Sequence, residues 1–152
     1  MHIHLIYASL SGNTERMADF IEEALVEGGC TVDRINISYE KDYLDALHGD
    51  SNIIFGTYTW GDGALPTETR SFLKDLFAID VKGHVAIFGT GEKQFKHYCR
   101  AIRESAYHFE KNGWEVHEWK LQIEQRPKDS EVKDIKQWTN NMIGDLSNDK
   151  SN

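Results

Sequence analysis

The residues best suited to chemistry begin at Ser9. The stretch Ser9-Leu10-Ser11-Gly12-Asn13-Thr14-Glu15 supplies three hydroxyls and a glycine between an apolar run, Ile3 to Ala8, and an amphipathic segment. The first N–H groups of a helix lack internal acceptors, and the helix dipole adds partial positive charge at that end. A phosphate suits such a turn. No Lys or Arg lies within residues 9–15, so dipoles and hydroxyls alone would hold it. That fits a small cofactor meant to stay bound better than a nucleoside triphosphate with its metal. The Gly-Lys-Ser/Thr pattern of triphosphate loops is absent.

Two further segments have the same character. Thr57-Tyr58-Thr59-Trp60-Gly61-Asp62-Gly63 places a tryptophan between hydroxyl residues and glycines, directly after an apolar run. An aromatic there offers a flat face to a flat ligand. Gly89-Thr90-Gly91-Glu92-Lys93-Gln94-Phe95 joins small residues, which let a ligand approach the backbone, to an aromatic. Two aromatics on separate loops could sandwich one planar ring while the Ser9 loop holds its tail. Phe95 and Tyr98 compete for the second stacking position; Tyr98 also matches the apolar face of the following helix. Gln94 breaks any G-x-G-x-x-G pattern. The seven histidines show no H-E-x-x-H or other ligand spacing, so no metal site is expected. The three loops show no nucleophile–histidine pattern and no acid–base pair, so no catalytic residue is assigned.

These loops need a frame. Apolar runs at Ile3–Ala8, Val32–Ile37, Ile53–Thr57, Val85–Gly89 and Trp114–Ile123 read as strands. The last loses its alternation near Glu118, which reads as a bulge at a sheet edge. Asp33 and Arg34 suit an edge for the second. Between them, Met17, Ile21, Ala24 and Leu25 mark a helix stopped by Gly28-Gly29. Tyr43, Leu44 and Leu47 mark a short helix. Pro66 starts another, with Phe72, Leu73, Leu76 and Phe77 inward. Tyr98, Ile102, Ser105, Ala106 and Phe109 mark the next, and Val132, Ile135, Trp138, Met142 and Leu146 the last. Trp114, Trp119 and Trp138 read as core or edge packing. Five βα units with fully apolar inner strands predict an α/β fold: a three-layer, doubly wound, five-stranded parallel sheet. Ligands of such sheets sit at the carboxyl ends of the strands, where all three loops fall.

The 152 residues suit one domain, over 1–146, with a frayed polar tail at 147–152. A net charge of −8 argues against nucleic acid as a partner. Cys30 and Cys99, far apart, suggest a reducing compartment. No run reaches the length of a membrane span, and the first residues show no signal-peptide pattern. The expectation is a cytoplasmic protein.

At this point the chain resembles the short-chain flavodoxins, from Ile3 to about Leu146. Ser9-x-Ser11-Gly12-Asn13-Thr14-Glu15 is similar to that family's FMN-phosphate signature. Thr59-Trp60-Gly61-Asp62-Gly63 with Leu65-Pro66 resembles its second flavin loop, and Gly89-x-Gly91, an aromatic and Cys99 its third. The strand order 2-1-3-4-5 comes with the resemblance, as the known order of that fold, and not from the spacing. The resemblance implies a low-potential one-electron carrier with noncovalent FMN, without substrate turnover of its own. Its partners would be a flavodoxin/ferredoxin reductase and redox acceptor proteins, and the chain would act as a monomer. Ser9, Leu10, Ser11, Gly12, Asn13 and Thr14 would bind the phosphate. Tyr58, Thr59 and Trp60 would contact the ribityl chain and ring, with Trp60 over one ring face. Gly61 would turn its carbonyl toward the flavin on reduction, a flip cheap only for glycine. Asp62, Thr90, Gly91 and Glu92 would bound the ring edge, and Phe95 would stack where the family usually has tyrosine.

Two alternatives stay open: a flavin-dependent quinone reductase on the same fold, and a specialised flavodoxin-like activator of ribonucleotide reductase. The chain also departs from the family's acidic surroundings. Ala64 and Thr67 stand where carboxylates are usual. Lys93, Lys96, Arg100 and Arg103 line one helical face, either as solvated surface or as a partner surface.

Overall fold

A computed structural model describes residues 1–60, 63–91 and 100–151, with side chains described through 147. Strands β1 (His2–Tyr7), β2 (Thr31–Asn36), β3 (Asp50–Tyr58), β4 (Lys82–Gly91), β5 (Glu115–Val116) and β6 (Leu121–Glu124) alternate with helices α1 (Asn13–Glu27), α2 (Thr67–Phe77), α3 (Arg100–Lys111) and α4 (Asp129–Ser151). All pairings are parallel, in the order β2-β1-β3-β4, with β5 and then β6 along the free edge of β4.

The fifth position of the sheet is thus filled by two short strands. From Val116 to Leu121 the edge chain advances five residues while its partners on β4, Val85 to Phe88, advance three. The two extra residues cannot pair, and the strand breaks where the sequence alternation slipped. Trp119 in this break is 46% exposed, so it is not core. Its carbonyl instead accepts the indole N–H of the fully buried Trp138 at 2.6 Å.

Each face of the sheet carries its own core. Met17, Ile21 and Leu25 of α1 and Ile135, Trp138 and Met142 of α4 pack against Ile3, Leu5, Ile54 and Phe88. Phe72, Leu73 and Leu76 of α2 and Ile102, Ala106 and Phe109 of α3 pack against Ile6, Phe55, Val85 and Ile87. Fully burying each such side chain is worth about 1.5–3 kcal/mol. Helix α1 stops because Gly28 closes its last turn onto the Ala24 carbonyl and Gly29 takes φ +83°.

One expected helix does not form. Residues 43–46 are turns, held by the N–H groups of Asp45 and Leu47 on the carbonyls of Asp42 and Leu44. Three apolar residues define one turn only, and a single turn fixes too many dihedrals for the hydrogen bonds it gains. The second crossover is therefore a loop. At the other end of the chain α4 runs past Leu146 to Ser151, so the polar residues 147–151 continue its backbone.

Gly89 has a packing role. A Cβ there would stand 2.2 Å from the Thr57 carbonyl oxygen and 2.9 Å from Ile102 Cγ1. The close approach it permits is of β3 and α3, within the core. Gly144, on α4, has nothing within 4 Å of such a Cβ. In denaturant unfolding, Gly89→Ala should lower stability by about 1–3 kcal/mol through overpacking. Gly144→Ala should raise it by about 0.5–1 kcal/mol through helix propensity and a less flexible unfolded chain. Equal effects of the two changes would contradict this packing.

Candidate functional site

The carboxyl ends of β1, β3 and β4 bring the three loops together through hydroxyl groups. The Thr14 and Thr90 hydroxyls lie 2.9 Å apart, buried, and tie the first loop to the end of β4. The Thr59 N–H donates to the Thr90 carbonyl at 3.2 Å, tying in the second loop. The Thr59 hydroxyl in turn accepts the N–H of Ala101, in the first turn of α3, at 3.2 Å. A buried side-chain hydroxyl left unpaired costs free energy, so these pairings fix the three segments relative to one another.

The first loop is shaped from both ends. Gly12 takes φ +95° before Asn13 opens α1, with no side-chain cap. A Cβ at Gly12 would meet nothing; the backbone angle itself calls for glycine. Ser9 Oγ accepts the Glu15 N–H at 3.1 Å. The Ser9 N–H donates to Ser38 Oγ at 3.0 Å and to Asn36 Oδ1 at 3.3 Å, and Asn36 Nδ2 donates back to the Ser9 carbonyl at 3.1 Å. Among the described residues, the N–H groups of Leu10, Ser11, Gly12, Asn13 and Thr14 find no protein acceptor. An anion is the natural acceptor for amides at a helix start. Leu10 and Ser11 are exposed, Gly12 and Asn13 half-buried, and Thr14 buried, so the amides line an accessible turn.

Helix α1, which presents those amides, is pinned to the sheet by Arg34 of β2. The guanidinium donates to Asp19 at 2.7 Å, Glu22 at 2.9 Å and the Tyr7 hydroxyl at 3.1 Å, while Tyr7 donates to Glu15 at 3.1 Å. Burial first, with the Glu15 carboxylate adding to it, pushes the Tyr7 phenol up to about 12 against the opposing pull of Arg34. The edge-strand arginine therefore positions the loop at a distance.

The second loop keeps Trp60 at the surface, 41% exposed, with its N–H donating to the Ala64 carbonyl at 3.4 Å. Such an exposed aromatic beside Gly63, which has φ +86°, is open to a planar partner. Gly61, Asp62, Glu92 and Phe95 lie outside the described residues, as do Tyr98, Lys93 and Lys96. Of the basic stripe, Arg100 pairs with Glu104 at 2.9 Å across one helical turn. That pairing offsets part of its positive charge.

Ser38 and Asn36, and the contacts of Glu68, escaped the sequence reading. Ser38 links the Ser9 amide to Glu68 Oε2 at 2.9 Å, and the Tyr58 hydroxyl donates to Glu68 at 3.1 Å. The available signal was positional: Asn36 and Ser38 are polar residues at the carboxyl end of the strand beside β1. Acceptor-free amides, fixed hydroxyls and an open aromatic make a site for a planar ligand with an anionic tail.

Comparison with known proteins agrees with that chemistry. The family model described as Flavodoxin matches residues 5–138. Probable flavodoxin 2 of Bacillus subtilis is 35% identical over 134 residues, covering 88% of each chain. The structure of oxidised flavodoxin 1 from Bacillus cereus superposes with a TM-score of 0.82 at 31% identity, over 95% of this chain and 98% of that one. The Fusobacterium nucleatum flavodoxin bound to flavin mononucleotide shares the fold, with a TM-score of 0.73 at 19% identity over 95% and 98%.

The Tyr58 contact generates a pH test. Burial first, and then the Glu68 carboxylate, push the Tyr58 phenol up from 10.0 to about 12. The fold thus favours the neutral phenol. Its stabilisation is full below the unfolded value and is lost as pH rises through the folded one. Ultraviolet difference titration of wild type against Tyr58→Phe should show this phenol ionising near pH 12, and Glu68→Gln should lower that midpoint. A midpoint at the ordinary tyrosine value would contradict the Tyr58–Glu68 contact.

Proposed function

The chain belongs to the flavodoxin family, and on that footing we propose that it carries single electrons on noncovalently bound FMN. The observation that carries this reading is the turn over residues 10–14, whose amides have no protein acceptor among the described residues. FMN, when bound, supplies the one-electron chemistry that no side chain here provides. The residues supply binding, orientation and exclusion of water.

Ser9, Leu10, Ser11, Gly12, Asn13 and Thr14 hold the phosphate through backbone N–H groups and hydroxyls. Asn36 and Ser38 hold that turn in place through Ser9. Tyr58, Thr59 and Trp60 bound the ribityl chain and one ring face. Gly61 and Asp62 complete that loop. Thr90, Gly91 and Glu92 form the ring edge, and Phe95 covers the outer face. Thr90 also braces the site, with its hydroxyl on Thr14 and its carbonyl on Thr59.

Its partners are a flavodoxin/ferredoxin reductase as donor and redox proteins as acceptors. We place the protein in the cytoplasm as a monomer. The net charge of −8 disfavours nucleic acid. No helix among the described residues is long and apolar enough to cross a membrane. Neutral Ala64 and Thr67 repel an anionic flavin less than carboxylates would, so the lower one-electron midpoint is less negative than with acidic residues there.

The direct test is titration of the flavin-free protein with FMN. It should take up one equivalent, with the flavin absorbance shifted on binding, and melt at a higher temperature when loaded. Failure to bind FMN at micromolar concentration would overturn the function. Phe95→Ala should weaken binding by about 1–3 kcal/mol, the scale of a lost aromatic contact. Unchanged affinity in Phe95→Ala, with the loss in Tyr98→Ala, would assign the stacking to Tyr98.

A further inference from the structure

At the amino end of the sheet, away from the three loops, three metal-ligating side chains stand together. Strand alternation puts His2 and His4 on one face of β1. The parallel register sets Asp33 of β2 beside His4. His2 Nε2 lies 2.7 Å from Asp33 Oδ2, and His4 Nδ1 lies 3.7 Å from the same oxygen. All three donor atoms fall within 4.8 Å of one another. Linear spacing hides this cluster, because Asp33 is 31 residues from His2 and reaches it only through strand pairing. The same face is the one left thinly covered where the β2–β3 crossover forms turns in place of a helix. An open pocket results, with His48 and Asp50 on its rim.

We propose that His2, His4 and Asp33 bind one divalent transition-metal ion of the zinc type, clamping β1 to the edge strand β2. Two imidazole nitrogens and one carboxylate oxygen are a borderline donor set, suited to zinc; magnesium and calcium prefer oxygen ligands. Zinc bonds of about 2.0–2.2 Å set tetrahedral ligand atoms roughly 3.3 Å apart. The separations of 2.7 and 3.7 Å straddle that value, and the His2 and His4 nitrogens, within 4.8 Å of each other, close the remainder by side-chain adjustment. Water or His48 completes the shell. Burial first, then the neighbouring His2, hold the His4 pKa below its ordinary value against the pull of Asp33, with His48 adding to the lowering. On binding, the His2 ring proton moves to Nδ1, and a metal–nitrogen bond from Nε2 and a metal–oxygen bond from Asp33 replace their hydrogen bond.

The site does not depend on the flavin. The test is calorimetric titration of the FMN-loaded protein with zinc chloride, beside thermal unfolding with and without EDTA. One equivalent should bind saturably, raise the melting temperature and be reversed by EDTA. Asp33→Asn and His2→Gln change side chains that are about half exposed, so both variants should fold and retain flavin. Each should weaken zinc binding about tenfold or more, and the double variant should abolish the zinc-dependent rise in melting temperature. Flavin absorbance and content should not change. No saturable binding, binding that survives the double variant, or magnesium binding as tightly as zinc would each overturn the proposal.

Discussion

Everything at the candidate site depends on backbone amides that the fold leaves without acceptors. A parallel sheet delivers its crossovers to one edge, and the β1–α1 turn ends there with Gly12 in the left-handed region. A helix start that is accessible but unpaired is a standing demand for an anion. The surrounding structure keeps that demand unmet by protein groups. Ser9 is held by Asn36 and Ser38, Thr14 by Thr90, and α1 by Arg34. With no Lys or Arg in residues 9–15, selectivity rests on the geometry of dipoles, and an attraction of this kind is short in range and weakly screened.

Much of this was legible in the residues. The apolar periods located the first four strands and the span that β5 and β6 share, and the glycine pair at 28–29 ended α1 where expected. These signals are strong because core burial dominates them. The turn at residues 9–14 and the polar ends of β3 and β4 stood out because polar and aromatic residues at strand ends have no packing explanation. Three things were not legible. The turn at 43–46 carries a helical period too short to distinguish from a single turn. Trp119 sits where the edge strand breaks, and only the register on β4 shows that two residues are left over. The bracing by Asn36, Ser38 and Glu68 depends on contacts across 27 to 30 residues, and no local pattern encodes such pairs.

The distribution of small residues follows the same logic. Gly12 serves the loop through its backbone angle, whereas Gly89 serves the core, where β3 and α3 press against it. The sequence gives both the same look, a glycine at a strand end beside hydroxyl residues. Threonine is likewise divided. Thr57 and Thr69 pair their hydroxyls at 2.8 Å in the interior, while Thr14, Thr59 and Thr90 link the loops. Buried hydroxyl pairs hold the carboxyl edge rigid without bringing charge near the ligand.

The measurement closest to the central claim compares FMN with riboflavin, which shares the ring and lacks the phosphate, at low and high salt. If acceptor-free amides hold the phosphate, FMN should bind at least about a hundredfold tighter, since hydrogen bonds to a charged group contribute about 1.5–3 kcal/mol each. That preference should persist at high salt, because residues 9–15 contain no Lys or Arg. Equal affinities for the two flavins, or a preference that vanishes with salt, would contradict the account.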